Sequence, residues 1–304
     1  MLGFITRRLL GILPLVGVLA LATFLLLRLA PGGPFDAERS FPPEITRQLE
    51  ARFHLDQPWP HQFAAYAQGL LDGTLPSMKR PGLTVGELIL GSFPVSLTLG
   101  ALALGFALLT GISAGIIGAL RQNTAWDWTT MSFALVGISV PNFVLGPVLV
   151  LVFALGLGWV PPARWDGIET MILPAVTLGM AYAAYIARLS RAGMLEVVRT
   201  DFIRTARAKG LSEWQVVTRH ALKGAMLPVV TYLGPATARI VTGTVVIEKI
   251  FQVPGLGYYF VQSALDRDYS MVLGVVTFYA AILMVMNLVV DVAYTVLDPR
   301  VKLS

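Results

Sequence analysis

Apolar residues along this chain fall into six long runs, 9–29, 95–120, 131–155, 171–190, 226–247 and 271–297. Each is close to the twenty residues that cross about 30 Å of hydrocarbon as a helix. Between them the pattern is polar or amphipathic, so the spacing predicts an all-α membrane protein with six transmembrane helices. Arg7 and Arg8 precede the first run as they would in a signal peptide. Its only small-x-small triplet, Ala20-Leu21-Ala22, lies inside the run and not after it, which favours a retained anchor.

Composition agrees with that reading. Of 304 residues, 55% are hydrophobic and 13% charged, and the mean hydropathy is +0.69. A soluble domain is nearer one quarter charged and could not cover so much apolar surface. There is no cysteine, hence no disulfide, thiolate nucleophile or cysteine metal site, and the three histidines, His54, His61 and His220, form no ligand pair. No metal and no cofactor is expected.

Charge sets the expected orientation. Six crossings leave both termini on one side. The segments on that side carry thirteen bases: Arg7, Arg8, Arg121, eight between Arg188 and Lys223, then Arg300 and Lys302. The opposite segments carry eight bases against twelve acids. Bases concentrate on the cytoplasmic side of membrane proteins, so both termini are expected there. The formal charge of +5 then describes a basic cytoplasmic face suited to anionic lipid or an acidic partner. No groove-reading motif points to nucleic acid.

This topology divides the chain into an N-terminal transmembrane helix, 1–30, an extracytoplasmic segment, 31–94, and a five-helix core, 95–304, with a cytoplasmic loop at 188–224. The outer segment is expected to be partly helical. Pro42-Pro43-Glu44 opens a helix with Ile45, Leu49 and Phe53 on one face, Phe63, Tyr66 and Leu70 mark a second, and Thr84 with Glu87 forms a capping box for a helix that Pro94 should bend into the second crossing. Its functional reading is a docking surface for an external partner, against that of a surface cap.

Catalytic chemistry finds little support. None of the five lysines follows a glycine, so no phosphate-binding loop of the G-x-x-x-x-G-K-[ST] form exists. Gly111-Ile112-Ser113-Ala114-Gly115 matches a hydrolase elbow in letters, but it falls mid-helix, where Gly111, Gly115 and Gly118 serve close helix packing better. Three charges sit inside apolar runs. Arg28 is placed to snorkel outward, Asp291 lies about 9 Å from the cytoplasmic edge, and Arg239 lies about 20 Å from it, counting 1.5 Å per helical residue. A guanidinium at the depth of Arg239 is expected to face the bundle interior or an aqueous path.

The 188–224 connection reads as a helical hairpin. Asp201 caps a helix through Lys209, Gly210 supplies a left-handed turn, and Ser212 with Gln215 caps a second helix ending at Gly224. Phe202 and Ala206 on the first helix, and Trp214, Val217 and Ala221 on the second, form the expected apolar face, with Arg204, Arg207, Arg219 and Lys223 interspersed. Physically such a hairpin suits either a lipid surface or a partner's groove.

Phe202-Ile203-Arg204-Thr205-Ala206-Arg207-Ala208-Lys209-Gly210-Leu211, with Arg219-His220-Ala221-Leu222-Lys223 and Leu227-Pro228, resembles the coupling loop of peptide-type ABC importer permeases. Arg28-Leu29-Ala30-Pro31-Gly32-Gly33-Pro34-Phe35, Gln122-Asn123-Thr124, Val140-Pro141-Asn142-Phe143, Pro254-Gly255-Leu256-Gly257 and the stretch from Asn287 to Pro299 look like the same family. The likeness covers nearly the whole chain and is nearest to the B-type membrane subunits of oligopeptide permeases.

It implies a type I ABC importer permease fold in the bacterial inner membrane. It also implies a heterodimer with a second permease subunit, two partner ATP-binding cassette subunits and an extracytoplasmic peptide-binding protein. On this resemblance Arg204, Thr205, Ala206, Arg207, Gly210 and Leu211 contact the ATPases, and ATP is hydrolysed by the partners. The general importer loop has Glu-Ala-Ala where this chain has Arg204, Thr205 and Ala206, so no acidic contact carries over. Arg239, Asn142 and Tyr232 are the candidates for lining the path. Dipeptides, opines, glutathione or metal chelates are alternative cargoes. From other classes, an ion-coupled secondary transporter would need more membrane acids than Asp291, and an intramembrane hydrolase would rest on Ser113.

Overall fold

A computed structural model describes residues 2–35, 42–242 and 245–297. Arg39, Arg300, Lys302 and the Asp298-Pro299 end of the last quoted motif lie outside the described residues. Fourteen α-helices, two of them continued by π-helical turns, make up the described elements. The apolar runs become four unbroken helices: α1 (Leu2–Leu29), α4 (Val85–Leu120), α7 (Ile168–Val198) and α14 (Tyr269–Leu297).

The other two runs are bent pairs. The third is α5 (Ala125–Ser139) and α6 (Asn142–Leu149), the latter extended by a π-helical stretch Val150–Gly156. The axis bends by 113° between the two arms. The cause is local. Pro141 has no N–H to give the α5 ladder and disfavours helical backbone at Val140, which is extended at φ −90°, ψ 118°. The fifth run is α11 (Leu227–Thr242) and α12 (Val245–Phe251), inclined at 57°. Counting each pair as one span gives six crossings.

The remaining helices are short: α2 (Pro43–Arg52), α3 (Trp59–Leu71), α8 (Asp201–Ala208), α9 (Glu213–Gln215), α10 (Leu222–Ala225) and α13 (Leu256–Leu265). The chain forms two compact units that do not follow chain order, Met1–Ser96 with Pro254–Ser304, and Leu97–Val253.

In the first unit α1 packs along α14, and α2, α3 and α13 close over a core of Phe24, Phe53, Tyr66, Val85, Leu256 and Met271. Thr84 and Glu87 form the expected capping box, with the Thr84 N–H donating to Glu87 Oε2 at 2.8 Å and the Glu87 N–H to Thr84 Oγ1 at 3.2 Å. The helix it opens starts ten residues before the apolar run and continues through Pro94 as one element.

Arg28 does not snorkel. Its guanidinium donates to the buried Gln62 side chain and lies 5.5 Å and 5.8 Å from the Phe24 and Tyr269 ring centres. Gln62 Nε2 in turn donates to the Leu55 carbonyl at 3.1 Å and the Gln57 carbonyl at 2.6 Å, tying α1 to the α2–α3 turn. Burial pushes the nearby Tyr66 phenol above its ordinary pKa, against the Arg28 charge. Asp268, itself buried, accepts from Ser77 Oγ and from the backbone N–H groups of Met78 and Met271, pinning the 75–85 loop. Asp291 pairs with Arg8 at 3.2 Å, consistent with a position near the membrane edge.

In the second unit α7 is the central post, with α5, α6, α10 and α11 packed on it and α12 on α6. The glycines of α4 make its approach to α7 possible. A Cβ on Gly111 would lie 2.6 Å from the Ala183 carbonyl oxygen, and one on Gly115 would lie 2.6 Å from that of Ala187. Ser113 is on the exposed side of this helix, with no strand-to-helix elbow around it.

Candidate functional site

Because α7 runs unbroken to Val198, residues 188–198 are its last turns and the connection proper begins at Arg199. The post is fixed there to its neighbour. Arg191 donates from Nε to Asp127 Oδ1 and from Nη2 to Oδ2, both at 2.7 Å, and Asp127 also accepts from the Asn123 N–H at 3.0 Å. Arg199 reaches Gln122 at 3.0 Å. The Gln122-Asn123-Thr124 turn is thus held to α7 by two arginines, with Asn123 in the left-handed region at φ 62°.

Beyond it the hairpin forms. Thr200 precedes α8, its hydroxyl donating back to the Val197 carbonyl at 2.6 Å. Asp201 occupies the first turn, not the cap, and pairs with Arg204 at 3.2 Å. The helix stops at Gly210, whose φ of +80° is the left-handed conformation expected from the sequence. Ser212 and Gln215 make the reciprocal capping box, the Gln215 N–H donating to Ser212 Oγ at 3.4 Å and the Ser212 N–H to Gln215 Oε1 at 3.2 Å. From α9 a π-helical stretch Val216–Ala221 leads into α10. Arg207 closes the turn, donating from Nε and Nη2 to the two carboxylate oxygens of Glu213 at 2.7 Å and 3.2 Å. That carboxylate holds the Arg207 guanidinium above its ordinary pKa.

The hairpin's inner face differs from expectation in two residues. Ile203, not Phe202, joins Ala206, Val216, Val217 and Ala221 in a cluster with Ala119 at the end of α4 and Met194 on α7. Phe202 is 53% exposed and Trp214 77% exposed. On a two-turn helix only one of two adjacent apolar residues can point at the core, and Ile203 lies one turn from Ala206. Of the predicted coupling residues, Arg204, Thr205, Arg207 and Gly210 are on the outer surface, Leu211 is half-buried and Ala206 is buried. The hairpin therefore presents an aromatic and basic outer surface while its inner face is packed on α4 and α7.

Two of the three path candidates share a helix face. Tyr232 and Arg239 stand two turns apart on α11, while Asn142 is on another element, as the first residue of α6. Tyr232 stacks on Tyr185 of α7, ring centres 5.8 Å apart and planes inclined by 28°. Arg188 lies 5.7 Å from the Tyr185 ring centre. Sequence reading missed Tyr182 and Tyr185; their polar rings inside an apolar run were the available signal.

Long apolar helices, a proline-broken pair and a hairpin locked onto the ends of two of those helices are the architecture of a polytopic membrane protein. The chain belongs to the family described as the binding-protein-dependent transport system inner membrane component, which matches residues 111–303. It is accordingly a permease subunit of an ABC importer and not an enzyme.

The oligopeptide transport system permease protein OppB of Salmonella typhimurium is 48% identical over 99% of this chain and 100% of its own length. The dipeptide transport system permease protein DppB of Bacillus subtilis is 44% identical over 94% of this chain and 93% of its own. Among solved structures, an inward-facing MetNI methionine ABC transporter chain aligns with a TM-score of 0.57 at 17% identity, covering 69% of this chain and 96% of that one. It supports the fold alone.

Proposed function

We propose that this chain is the membrane subunit of an ATP-driven oligopeptide importer and forms half of its translocation path. A second permease subunit supplies the other half, two ATP-binding cassette subunits dock on the hairpin, and an extracytoplasmic binding protein delivers peptide. Both termini and the hairpin are cytoplasmic, and the 31–94 segment is outside, where its docked helices offer a surface to the binding protein. Similarity supports oligopeptides, since the OppB proteins match at 46–48% identity, slightly above the dipeptide permease DppB at 44% and well above the glutathione transport system permease protein GsiC of Escherichia coli at 37%.

The observation that carries this reading is the hairpin's attachment. Ile203, Val216 and Ala221 are fully buried against the end of α7, so a push on Arg204, Arg207 or Trp214 is delivered to α7 and not absorbed by a loose loop. Helix α7 carries Tyr185 and Arg188 and packs on α11 with Tyr232 and Arg239, which links the docking surface to the path. In this reading Asn142, the first residue after the break in the third span, is a further residue of the path; its position beside the break supports that role.

The test is reconstitution of the complex in vesicles, with ATP hydrolysis and uptake of labelled peptide measured with and without the binding protein. Peptide-loaded binding protein should stimulate both. Uptake that persists without the ATPase subunits and follows an ion gradient would overturn the reading.

A further inference from the structure

The exposed side chains of the spans differ sharply in kind. On α1 they are Leu10, Leu13 and Leu26; on α5 and the π-helical stretch after α6 they are Phe133, Leu135, Leu151 and Leu155. Such faces suit hydrocarbon. Helix α7 is the most enclosed of the four unbroken spans, with 61% of its apolar window buried; Ile168 and Ile172 are exposed at its start, but along its middle the accessible positions include Tyr182, Tyr185 and Arg188 at three-residue spacing. On α11, Tyr232 meets Tyr185 face to face, and Arg239 is exposed two turns further along the same helix. A lipid-facing surface would not carry two guanidiniums and three phenols.

We propose that the Tyr185–Tyr232 stack, with Arg188 at one end and Arg239 at the other, is a binding strip for the terminal carboxylate and backbone of a short peptide. This deepens the transport reading and rests on it. Arg188 is one turn from Tyr185 towards the hairpin, and Arg239 is two turns from Tyr232 the other way, so the guanidiniums stand about 15 Å apart along the helices at 1.5 Å per residue. Each is a bidentate partner for a carboxylate. The phenol faces between them accept peptide planes of any sequence, and their hydroxyls exchange hydrogen bonds with backbone amides. Two separated anion stations bridged by aromatic faces bind well enough to admit a peptide and loosely enough to release it, the condition conduction imposes on any path.

The absence of cysteine makes a direct test available. Tyr185→Cys is introduced and the reconstituted complex is treated with anionic sulfonatoethyl and cationic trimethylammonioethyl methanethiosulfonates, rates being normalised to a free thiol. The anionic reagent should react about tenfold faster, the size of effect a focused positive potential gives. The preference should collapse when Arg188→Gln or Arg239→Gln is added. A free-acid tripeptide should slow the reaction more than its C-terminal amide does. If Tyr185→Cys does not assemble, Ala192→Cys, one turn past Arg188 on the same exposed stripe, is read in the same way. No modification from water, equal rates for the two reagents, or equal protection by acid and amide would each overturn the strip. Failure of the transport reading is separate, showing as no peptide-stimulated ATP hydrolysis in the unmutated complex.

Discussion

Arg207 and Glu213 face each other across the Gly210 turn and make a two-point ion pair at 2.7 Å and 3.2 Å, so the tip of the hairpin is braced by side chains as well as backbone. The pair is substantially exposed, and pairs of this kind contribute only about 0.5 kcal/mol to stability. Arg207→Glu should therefore leave the subunit folded, with thermal stability in detergent nearly unchanged, while weakening ATPase docking. The exchange Arg207→Glu with Glu213→Arg restores the pair. Recovery of docking in the exchange, measured by co-purification, assigns bracing to the pair. Persistent loss assigns Arg207 a direct contact with the ATPase.

Asp127 is a different case, because its carboxylate is buried and takes two charged bonds from Arg191 as well as one from the Asn123 backbone. Asp127→Asn strips the charge from the pair and leaves Arg191 short of an acceptor. A loss of about 2 kcal/mol is expected, read as a lower unfolding temperature of the purified subunit. An unchanged temperature would mean that the turn before α5 is not held through this pair.

Gly115 tests the close approach of α4 to α7. A Cβ there would meet the Ala187 carbonyl oxygen at 2.6 Å and Ser190 Cβ at 2.5 Å, and backbone cannot swing aside as a flexible side chain can. Gly115→Val should cost about 3 kcal/mol, at the upper end of overpacking effects, with reduced membrane accumulation. Gly105→Val on the same helix, where a Cβ meets nothing within 4 Å, is the control and should accumulate normally.

The orientation is tested by labelling. Ser212 is exposed at the hairpin tip, and Ser212→Cys in the cysteine-free chain should react with an impermeant maleimide only after cells are opened. Labelling in intact cells would reverse the topology, and with it the side from which the ATPases dock.

What the sequence made legible was what depends on local backbone chemistry. The capping boxes at Thr84 and Glu87 and at Ser212 and Gln215, the left-handed Gly210 and the apolar runs all appear where local rules put them. Hydropathy carries no direction, however, and the 131–155 run hides the 113° break at Val140-Pro141 because both arms are equally apolar. The choice of Ile203 over Phe202 turns on what α8 packs against, the Tyr185–Tyr232 stack joins residues distant in the chain, and Arg28 is turned inward by Gln62, a residue on another helix. All three are tertiary facts, to which a periodicity within one segment is blind.

In the proposed mechanism the hairpin transmits force from partner ATPases to α7, and Gly210 is the residue at which this is best tested. With φ at +80° and open space around the site, a valine there meets no steric neighbour and only backbone strain, roughly 1 kcal/mol or more. That strain re-aims α9 relative to α8 without disturbing the membrane helices. The measurement is ATP hydrolysis, with and without peptide-loaded binding protein, in vesicles containing the complex carrying Gly210→Val. Normal insertion, weakened ATPase co-purification and loss of peptide-stimulated hydrolysis and uptake are expected. Wild-type stimulation together with wild-type co-purification would contradict the proposed mechanism.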